Sequence, residues 1–463
     1  MSIAHRTLAG LGAGLLIATP PARAQADAPA TTAARPRFPF PESTWVRSSA
    51  LYEVFVQDFS SSGDFQGVVS GLDRIQRTGA NVVWLMPIFP IGVKDHKGQL
   101  GSPYAVRDYR GINPVYGTAA DLHALIDSVH RRGMKLILDW VPDHTAADHP
   151  WVTEHPEYYV RDSTGNPSVP RDEKGKPTDW TDVVQLDYRN PELRRAMISE
   201  MRYWLDEFGV DGFRVDVACF VPFGFWQEAL PALRGSVSRR LLFLAECEDP
   251  RIHRAGFDLS YAWESRKRLI KVWQGGSAAS FVADELGDLK QLPPGAERMR
   301  FTTNHDQTAW EAPPVRLFRG DAGARAAFVA AALLPGRPLL YNGQEVDSPQ
   351  QLPLFEREPL AWDQPGAAAA RAFYHRVVEL ARTEPGLIGG ALTPIETSAP
   401  RNLIAYGRGP LVVIVNPCSR TVTFRVTGFA AGTVHDLLSG RDLRADRFTL
   451  PPFGSLVLRR PSA

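Results

Sequence analysis

The chain has 463 residues, of which 44% are hydrophobic and 22% charged, an ordinary globular composition that suffices for one large domain and a smaller one. With 52 basic and 51 acidic residues, the formal net charge is +1. This balance gives no support for a nucleic acid or an anionic membrane as partner, and it suits a neutral substrate.

The first 26 residues are predicted to be a signal peptide. His5 and Arg6 precede a short apolar run at 8–18, and small residues suited to signal cleavage follow. The run is shorter than the roughly 20 residues that a membrane-spanning helix needs. We therefore expect an exported protein, periplasmic or secreted, with no membrane contact after cleavage and a disordered leader over 27–41.

Eight short apolar segments alternate with helical segments along the next part of the chain. One helical run begins at Thr118, a capping residue, and ends at Gly133. Near-continuous apolar strands with helical crossovers are typical of a parallel sheet covered on its outer side. The count of eight predicts a closed (β/α)8 TIM barrel, α/β in class, over residues 42–387, with strands at 51–56, 81–86, 135–139, 212–216, 241–246, 257–263, 299–304 and 338–342.

Two segments depart from this rhythm. Residues 145–190, after the third strand, are rich in Pro, Gly and charge, and they are too long for a structureless loop, so they predict a small excursion domain over one barrel face. From residue 388 to 463 short alternating strands predict a C-terminal antiparallel β-sandwich domain.

The three cysteines are Cys219, Cys247 and Cys418. An odd count in an exported protein leaves at least one thiol free. Cys219 and Cys247 could be neighbours on adjacent strands, but we expect inert packing residues rather than a disulfide.

Polar residues gather at the predicted strand ends. Asp139, Asp143 and His144 follow the third strand, Arg214 and Asp216 end the fourth, Glu246 ends the fifth, and Asn304, His305 and Asp306 end the seventh. The carboxyl ends of the strands carry the chemistry in such a barrel. Three acids arriving from three strands at one mouth therefore predict a catalytic site.

These residues also carry a family resemblance. The blocks DWVPDH (139–144), GFRVDVA (212–218), FLAE (243–246) and FTTNHD (301–306) resemble four successive motifs of the α-amylase superfamily of glycoside hydrolases, and the similarity extends over residues 51–365. The resemblance implies a retaining hydrolase of α-1,4-glucosidic bonds in starch, glycogen or malto-oligosaccharides, acting through a covalent glycosyl-enzyme.

Residue by residue, the resemblance assigns three catalytic acids. Asp216 matches the nucleophile, Glu246 the acid/base that must be protonated at the start of the cycle, and Asp306 the third acid that stabilises the oxocarbenium-like state. Arg214 is expected beside Asp216, because a nearby opposite charge lowers the pKa of a carboxylate and keeps it ionised.

The same motifs imply substrate-binding residues. His144 and His305 match hydroxyl-binding histidines of the subsite before the cut, and Tyr104 matches the aromatic residue that stacks on that glucose. A zinc site of His144, His149 and His155 is disfavoured because their spacing fits no zinc signature.

The sequence departs from the family pattern near the expected metal. Cys219 and Phe220 stand where many α-amylases have Lys-His, and Asp143 replaces the usual Asn of the calcium-linked motif. The chemistry needs no cofactor. A carboxylate is a good calcium ligand, so a structural calcium stays an open alternative, and no metal ligands are assigned. The oligomeric state is likewise unassigned.

A further departure concerns the mode of cleavage. Exo-acting glucosidases of this superfamily hold the terminal sugar with an Asp and an Arg, where this chain has Gly101 and the stretch 307–310. We therefore favour an endo-acting, α-amylase-like hydrolase. Trp180, Trp226 and Trp310 are candidate sugar platforms, with core packing as an equal alternative for each. The alternatives are an exo-acting α-glucosidase or transglycosylase on short malto-oligosaccharides and a non-catalytic glucan-binding paralogue.

Overall fold

The computed structural model describes residues 44–172, 174–429 and 432–460. The predicted signal peptide and leader lie outside these residues. In the described part of the chain, no helix is both long and apolar enough to cross a membrane.

Eight parallel strands close into a barrel in which chain order is also spatial order. The predicted TIM barrel is therefore confirmed. Its strands, called here the first to eighth barrel strands, are Leu51–Val54, Val82–Leu85, Lys135–Trp140, Gly212–Val215, Leu242–Ala245, Leu259–Ser260, Glu297–Arg300 and Arg337–Tyr341.

Helices connect the strands and cover the outside of the barrel. The longer ones are Phe65–Arg77, Ala119–Arg131, Pro191–Glu207, Phe223–Ser236, Trp263–Trp273, Ala278–Gln291, Asp321–Ala332 and Ala367–Thr383. Short α-helical turns lie at Thr44–Arg47, Val56–Phe59, Trp151–Glu154, His305–Trp310, Pro314–Leu317 and Pro385–Gly389, and 3-10 turns at Pro156–Tyr158, Pro250–Ala255 and Gln344–Val346.

The helix boundaries follow from local chemistry. Before Ala119–Arg131, Thr118 and Asp121 form a reciprocal capping box that satisfies amide groups of the first turn. The chain leaves this helix through Gly133, whose φ of 71° is readily adopted only by glycine.

The barrel strands are buried on both faces, as a parallel sheet requires. Alternate residues face inward: Val82 and Trp84 pack inside the barrel, whereas Val83 and Leu85 pack against the helices. This apolar interior supports the polar groups that stand at the strand ends.

The excursion after the third strand is pinned at its base. Strands His144–Ala146 and Val183–Gln185 pair antiparallel, with His144 opposite Gln185. This pairing brings the far end of the segment back to the barrel mouth, beside the third strand.

The C-terminal strands are antiparallel, as expected. One sheet runs in the order Leu392–Pro394, Ile404–Arg408, Leu411–Val415, Ser455–Arg459, Thr433–Asp436, Arg441–Arg444, and Val422–Phe424 pairs separately with Phe448–Leu450. Tyr406 donates a hydrogen bond to the Ala330 carbonyl at 3.1 Å, which ties the sheet to the barrel helix Asp321–Ala332.

Candidate active site

The fold brings the predicted site residues to one cavity at the carboxyl ends of the barrel strands. Arg214, which lies in the fourth strand, is fully buried beneath it. The side chains that line the cavity include Tyr104, His144, Asp216, Glu246, His305 and Asp306.

Arg214 contacts the carboxylates on both sides of the cavity floor. Its Nη1 donates to Asp139 Oδ1 at 2.8 Å and to Asp216 Oδ1 at 2.9 Å. Its Nη2 lies 2.9 Å from Glu246 Oε2, and its Nε donates to the Tyr261 hydroxyl at 3.2 Å. One guanidinium therefore fixes the expected nucleophile and the expected acid/base relative to each other.

The charge balance at Asp216 differs from the sequence-based expectation. Burial raises the pKa of Asp216 well above its ordinary value, and the charges of Glu246 and Asp139 raise it further, while Arg214 lowers it. Arg214 lowers the pKa of Asp216, as expected. The expected net lowering of this pKa is wrong, because burial outweighs the effect of one guanidinium. Burial also raises the pKa of Asp139 to about 6, again against Arg214.

The turn that follows Asp216 is bonded to Glu246. The Val217 amide donates to Glu246 Oε2 at 2.8 Å, and the Ala218 amide donates to the Glu246 carbonyl at 3.1 Å. Val217 has a φ of 35°, a left-handed conformation that costs a non-glycine residue about 1–3 kcal/mol. The surrounding bonds must therefore hold this strained turn in place.

His305 links three polar groups on the other side of the cavity. Its Nε2 lies 2.7 Å from the Tyr104 hydroxyl and 3.3 Å from Asp306 Oδ2, and its Nδ1 pairs with Glu53. Burial lowers the pKa of His305, but Asp306 and Glu53 outweigh it and raise the pKa well above the ordinary value. Burial raises the pKa of Asp306, yet the His305 charge outweighs it and leaves the pKa low. Each group therefore favours the charged form of the other.

Glu53 is a site residue that the sequence reasoning missed. It is fully buried in the first strand, and its partner His305 is 252 positions away along the chain. A signal was present: a single acid interrupts the apolar segment LYEVFV, just as Arg214 interrupts GFRVDV. Its hydrogen bond holds the His305 ring in position.

Asp139 forms hydrogen bonds that its sequence motif did not predict. Its Oδ2 accepts hydrogen bonds from Trp84 Nε1 at 3.1 Å and from the Tyr104 hydroxyl at 3.2 Å. Because Tyr104 also meets His305, the network runs from Arg214 through Asp139 and Tyr104 to His305. The two halves of the cavity floor are thus connected.

His144 lies at the start of the excursion and is buried. Its Nδ1 is 3.3 Å from Asp143 Oδ2, and its ring meets the Trp180 ring edge-on at 5.5 Å between centroids. Asp143 Oδ1 in turn accepts from Gln185 Nε2 at 3.5 Å. Asp143 therefore orients His144.

This arrangement does not fit a bound cation at Asp143. One carboxylate oxygen accepts from Gln185 and the other lies beside His144 Nδ1, and within residues 44–172, 174–429 and 432–460 there is no group of three or more His, Cys, Asp or Glu that could hold a metal ion.

Comparison with known proteins identifies the family. Residues 42–236 match the family model described as the α-amylase catalytic domain. The crystal structure of an α-amylase from Lactobacillus plantarum is 31% identical, with a TM-score of 0.80, over 90% of this chain and 100% of that one. The chain belongs to the α-amylase superfamily of glycoside hydrolases.

Two further relatives extend the comparison. The crystal structure of a noncanonic maltogenic α-amylase, AmyB from Thermotoga neapolitana, is 29% identical, with a TM-score of 0.79, over 90% of this chain and 99% of that one. The α-amylase MalA of Haloarcula japonica is 28% identical over 426 residues. That match covers 87% of this chain and 60% of MalA, so the chain spans less than two thirds of that relative's length.

The structure corrects the sequence-based expectation for two of the cysteines. Cys219 and Cys247 are joined by a disulfide with a Cα–Cα distance of 5.3 Å, whereas Cys418 is free. Such a distance is ordinary for disulfides. The expectation of inert packing is wrong for this pair because parallel pairing of the fourth and fifth strands brings the turns that follow them side by side.

The three candidate sugar platforms of this α-amylase relative divide into two kinds. Trp226 is fully buried, so of its two interpretations the structure supports core packing. Trp180 lines the cavity and stacks on Phe220, with centroids 6.2 Å apart. Trp310 is 63% exposed at the cavity, with its ring 5.7 Å from that of Phe355.

Position 101 bears on the mode of cleavage, because the sequence resemblance places there the Asp with which exo-acting glucosidases hold the terminal sugar. Gly101 has a φ of 78°, and a Cβ added to it would meet Ile91 Cγ2 at 2.7 Å. An acid at this position would therefore be strained and would have to displace the Ile91 side chain. An ion pair, Lys97 Nζ to Asp182 Oδ1 at 3.3 Å, lines the cavity nearby.

Proposed function

We propose that the protein hydrolyses α-1,4-glucosidic bonds of starch, glycogen or malto-oligosaccharides with retention of configuration. The observation that carries this proposal is the sharing of the buried Arg214 guanidinium by Asp216 and Glu246 at the barrel mouth. A retaining mechanism needs two carboxyl groups facing one bond from a fixed separation.

In the proposed first step Asp216 attacks the anomeric carbon. The bond to the leaving oxygen breaks as Glu246 transfers its proton to that oxygen, and a covalent glycosyl ester forms on Asp216. In the second step Glu246 takes a proton from water. The water oxygen attacks the anomeric carbon and releases Asp216, which restores both side chains.

The remaining site residues are proposed to bind the sugar and stabilise charge. Asp306, kept anionic by His305, would grip sugar hydroxyls and favour the positive charge that develops on the ring. Tyr104 would stack on the glucose before the cut, with His144 and His305 contacting its hydroxyls. Each of them lines the cavity with Asp216.

We further propose an exported enzyme with an α-glucan as its partner and no nucleic acid or membrane contact. The disulfide supports an oxidising compartment, as does the signal peptide predicted over residues 1–26. Gly101 supports endo action because it leaves the terminal-sugar clamp of the glucosidases incomplete.

A second candidate is exo-acting cleavage that releases a short product. The Lys97–Asp182 ion pair at the cavity favours it, since two charged groups there could bind the end of a chain. The similarity to a maltogenic α-amylase points the same way. A non-catalytic glucan-binding paralogue is disfavoured because the three acids and their partners are in place.

A product time course tests the proposal. Soluble starch and maltoheptaose are incubated with the wild type and with Asp216→Asn, and the products are separated by size. Early mixed oligosaccharides with rapid loss of iodine staining support endo action, whereas one short product from the outset supports the second candidate. A wild type no more active than Asp216→Asn on both substrates would overturn both.

A further inference from the structure

We infer that the Cys219–Cys247 disulfide is a positioning device, which holds the turn after the nucleophile against the acid/base residue and thereby sets kcat. This inference rests on the proposed function, because it assumes that Asp216 and Glu246 work as a pair. It concerns how their relative position is maintained.

The disulfide lies close to both catalytic carboxylates along the chain. Cys219 lies three residues after Asp216, and Cys247 directly follows Glu246. The last paired residues of the fourth and fifth strands are Val215 and Ala245. The disulfide is therefore a covalent cross-link just beyond the last pair of the ladder, where the two strands lead into different turns.

The turn between Asp216 and Cys219 has a strained backbone. Val217, between Asp216 and Cys219, is β-branched and has a φ of 35°. Such a conformation persists only when its surroundings enforce it. The hydrogen bonds from Val217 and Ala218 to Glu246 restrain the turn, and the disulfide closes the same short stretch covalently.

Local packing also bears on the inference. Ala218 accepts a hydrogen bond from the buried Trp226 indole at 2.9 Å, and the Cys247 carbonyl accepts one from the Tyr261 amide at 3.1 Å. Tyr261 in turn contacts Arg214. Cys247 is thus linked through Tyr261 to Arg214, and the residue before Cys219 is held by the core residue Trp226.

The bond can be reached without entering the catalytic cavity. Cys219 is partly exposed, and both cysteines line a separate cavity of about 310 Å³ together with Phe223, Asp249 and Arg251. Reduction by dithiothreitol transfers two electrons and two protons to the bond, giving two thiols and the cyclic disulfide of the reagent. The cavity therefore offers a small reductant a route to the bond on the Cys219 side.

The test compares wild type, reduced wild type and the Cys219→Ser/Cys247→Ser variant on the substrate that the wild type cleaves. The temperature is kept where circular dichroism shows each sample folded, and Cys418→Ser is the matched control for loss of a thiol. We expect kcat to fall roughly ten- to hundredfold with KM changed less than about threefold, because a displacement of about 1 Å can cost that much in rate. Reoxidation of the reduced wild type should restore kcat.

A second readout does not depend on activity. Hydrogen exchange at the Val217 and Ala218 amides, both bonded to Glu246, should become at least about tenfold faster when the disulfide is opened. A purely stabilising disulfide would lower the melting temperature but leave kcat and these two amides unchanged, which would overturn the inference. If the double variant does not fold, the reduced wild type decides.

Failure of the proposed function is distinguishable from failure of this inference. A wild type without activity above Asp216→Asn rejects the function, and the exchange of the two amides then decides whether the disulfide restrains the turn. An active wild type whose kcat is indifferent to the disulfide rejects the inference alone.

Discussion

The Arg214 guanidinium is shared by the carboxylates of Asp139, Asp216 and Glu246 in a buried space. Three acids around one permanent cation leave more negative than positive charge when all are ionised. Burial is the main cause of the raised pKa values of Asp216 and Asp139, and the charges of neighbouring acids add to it. We therefore expect the acid side of the pH–activity curve to report this cluster as a whole.

Asp139→Asn should shift the acid limb of kcat/KM to lower pH. Asp216 must be ionised to attack, so activity is lost as pH falls through its raised pKa, and the charge of Asp139 is one cause of that rise. Removing that charge lowers the pKa of Asp216, although kcat should also fall because Arg214 loses a partner.

The pH dependence of kcat/KM on a soluble substrate measures the shift. Asp211→Asn is the matched control: Asp211 is a buried carboxylate at the opposite end of the fourth strand, bonded to His130 and Lys135. A limb that stays in place or moves to higher pH in Asp139→Asn would contradict the account of this cluster.

Glu53→Gln should weaken catalysis because it alters the buried partner of His305. The substitution removes one of the two carboxylates that keep His305 charged, and His305 in turn keeps Asp306 ionised. We expect kcat/KM to fall about ten- to a hundredfold, roughly 1.4–2.7 kcal/mol in transition-state stabilisation.

Steady-state kinetics at the pH optimum check the effect of Glu53→Gln. Glu345→Gln serves as control, since Glu345 is equally buried but accepts its hydrogen bond from Tyr52, at 2.6 Å. Equal losses in both variants would indicate general destabilisation instead of a role for Glu53 at the site.

Local sequence predicted the lining residues of the site well and their long-range partners poorly. Asp216 and Glu246 directly follow recognisable strands, and Asp306 lies in the short helix after the seventh strand, each within a contiguous motif. The pairing of Glu53 with His305 depends on closure of the barrel across 252 positions. The net pKa of Asp216 depends on burial, which the neighbouring residues along the chain do not specify.

Among the elements, the strands were predicted in number and order, but their lengths were less accurate. The segment 257–263 forms a strand only at Leu259–Ser260, because the helix Trp263–Trp273 begins three residues after Ser260. The apolar segment at 51–56 ends as a strand at Val54, and a short helix begins at Val56. Apolar character marks a buried strand, whereas its end is set by the barrel geometry.

The short helix His305–Trp310 connects the catalytic mouth to an exposed aromatic. Trp310→Ala should raise KM for maltoheptaose several-fold, because a sugar face stacked on the indole is lost, and it should affect a short substrate less. Val115→Ala is the control, since Val115 is likewise exposed, at 67%, on the loop before the helix Ala119–Arg131. An unchanged KM for maltoheptaose would remove Trp310 from the binding surface.

The molecule as a whole is organised so that the barrel carries the site and the C-terminal sheet packs against its outside. Arg408 donates to the Leu333 carbonyl at 2.7 Å and so anchors this sheet at the end of the helix Asp321–Ala332. The excursion and the loops of the strand ends, not the C-terminal sheet, supply the residues of the catalytic cavity.

The same architecture bears on metal dependence. Since Asp143 is engaged by His144 and Gln185, we predict that EDTA changes neither the melting temperature nor the rate of starch cleavage. A ligand that stabilises the native state raises the melting temperature, so its removal would be visible. A drop after EDTA that added calcium reverses would show a cation site of a different composition.

The most direct test of the account is to trap the covalent intermediate on Asp216. In Glu246→Gln, α-glucosyl fluoride should still react, because fluoride leaves without a proton from the acid, while hydrolysis of the ester slows without the base. Peptide mass spectrometry is predicted to find one glucosyl unit on Asp216, and none when Asp216→Asn is added. A label on another residue, or no label with a fluoride that the wild type consumes, would contradict the assignment of Asp216 as nucleophile.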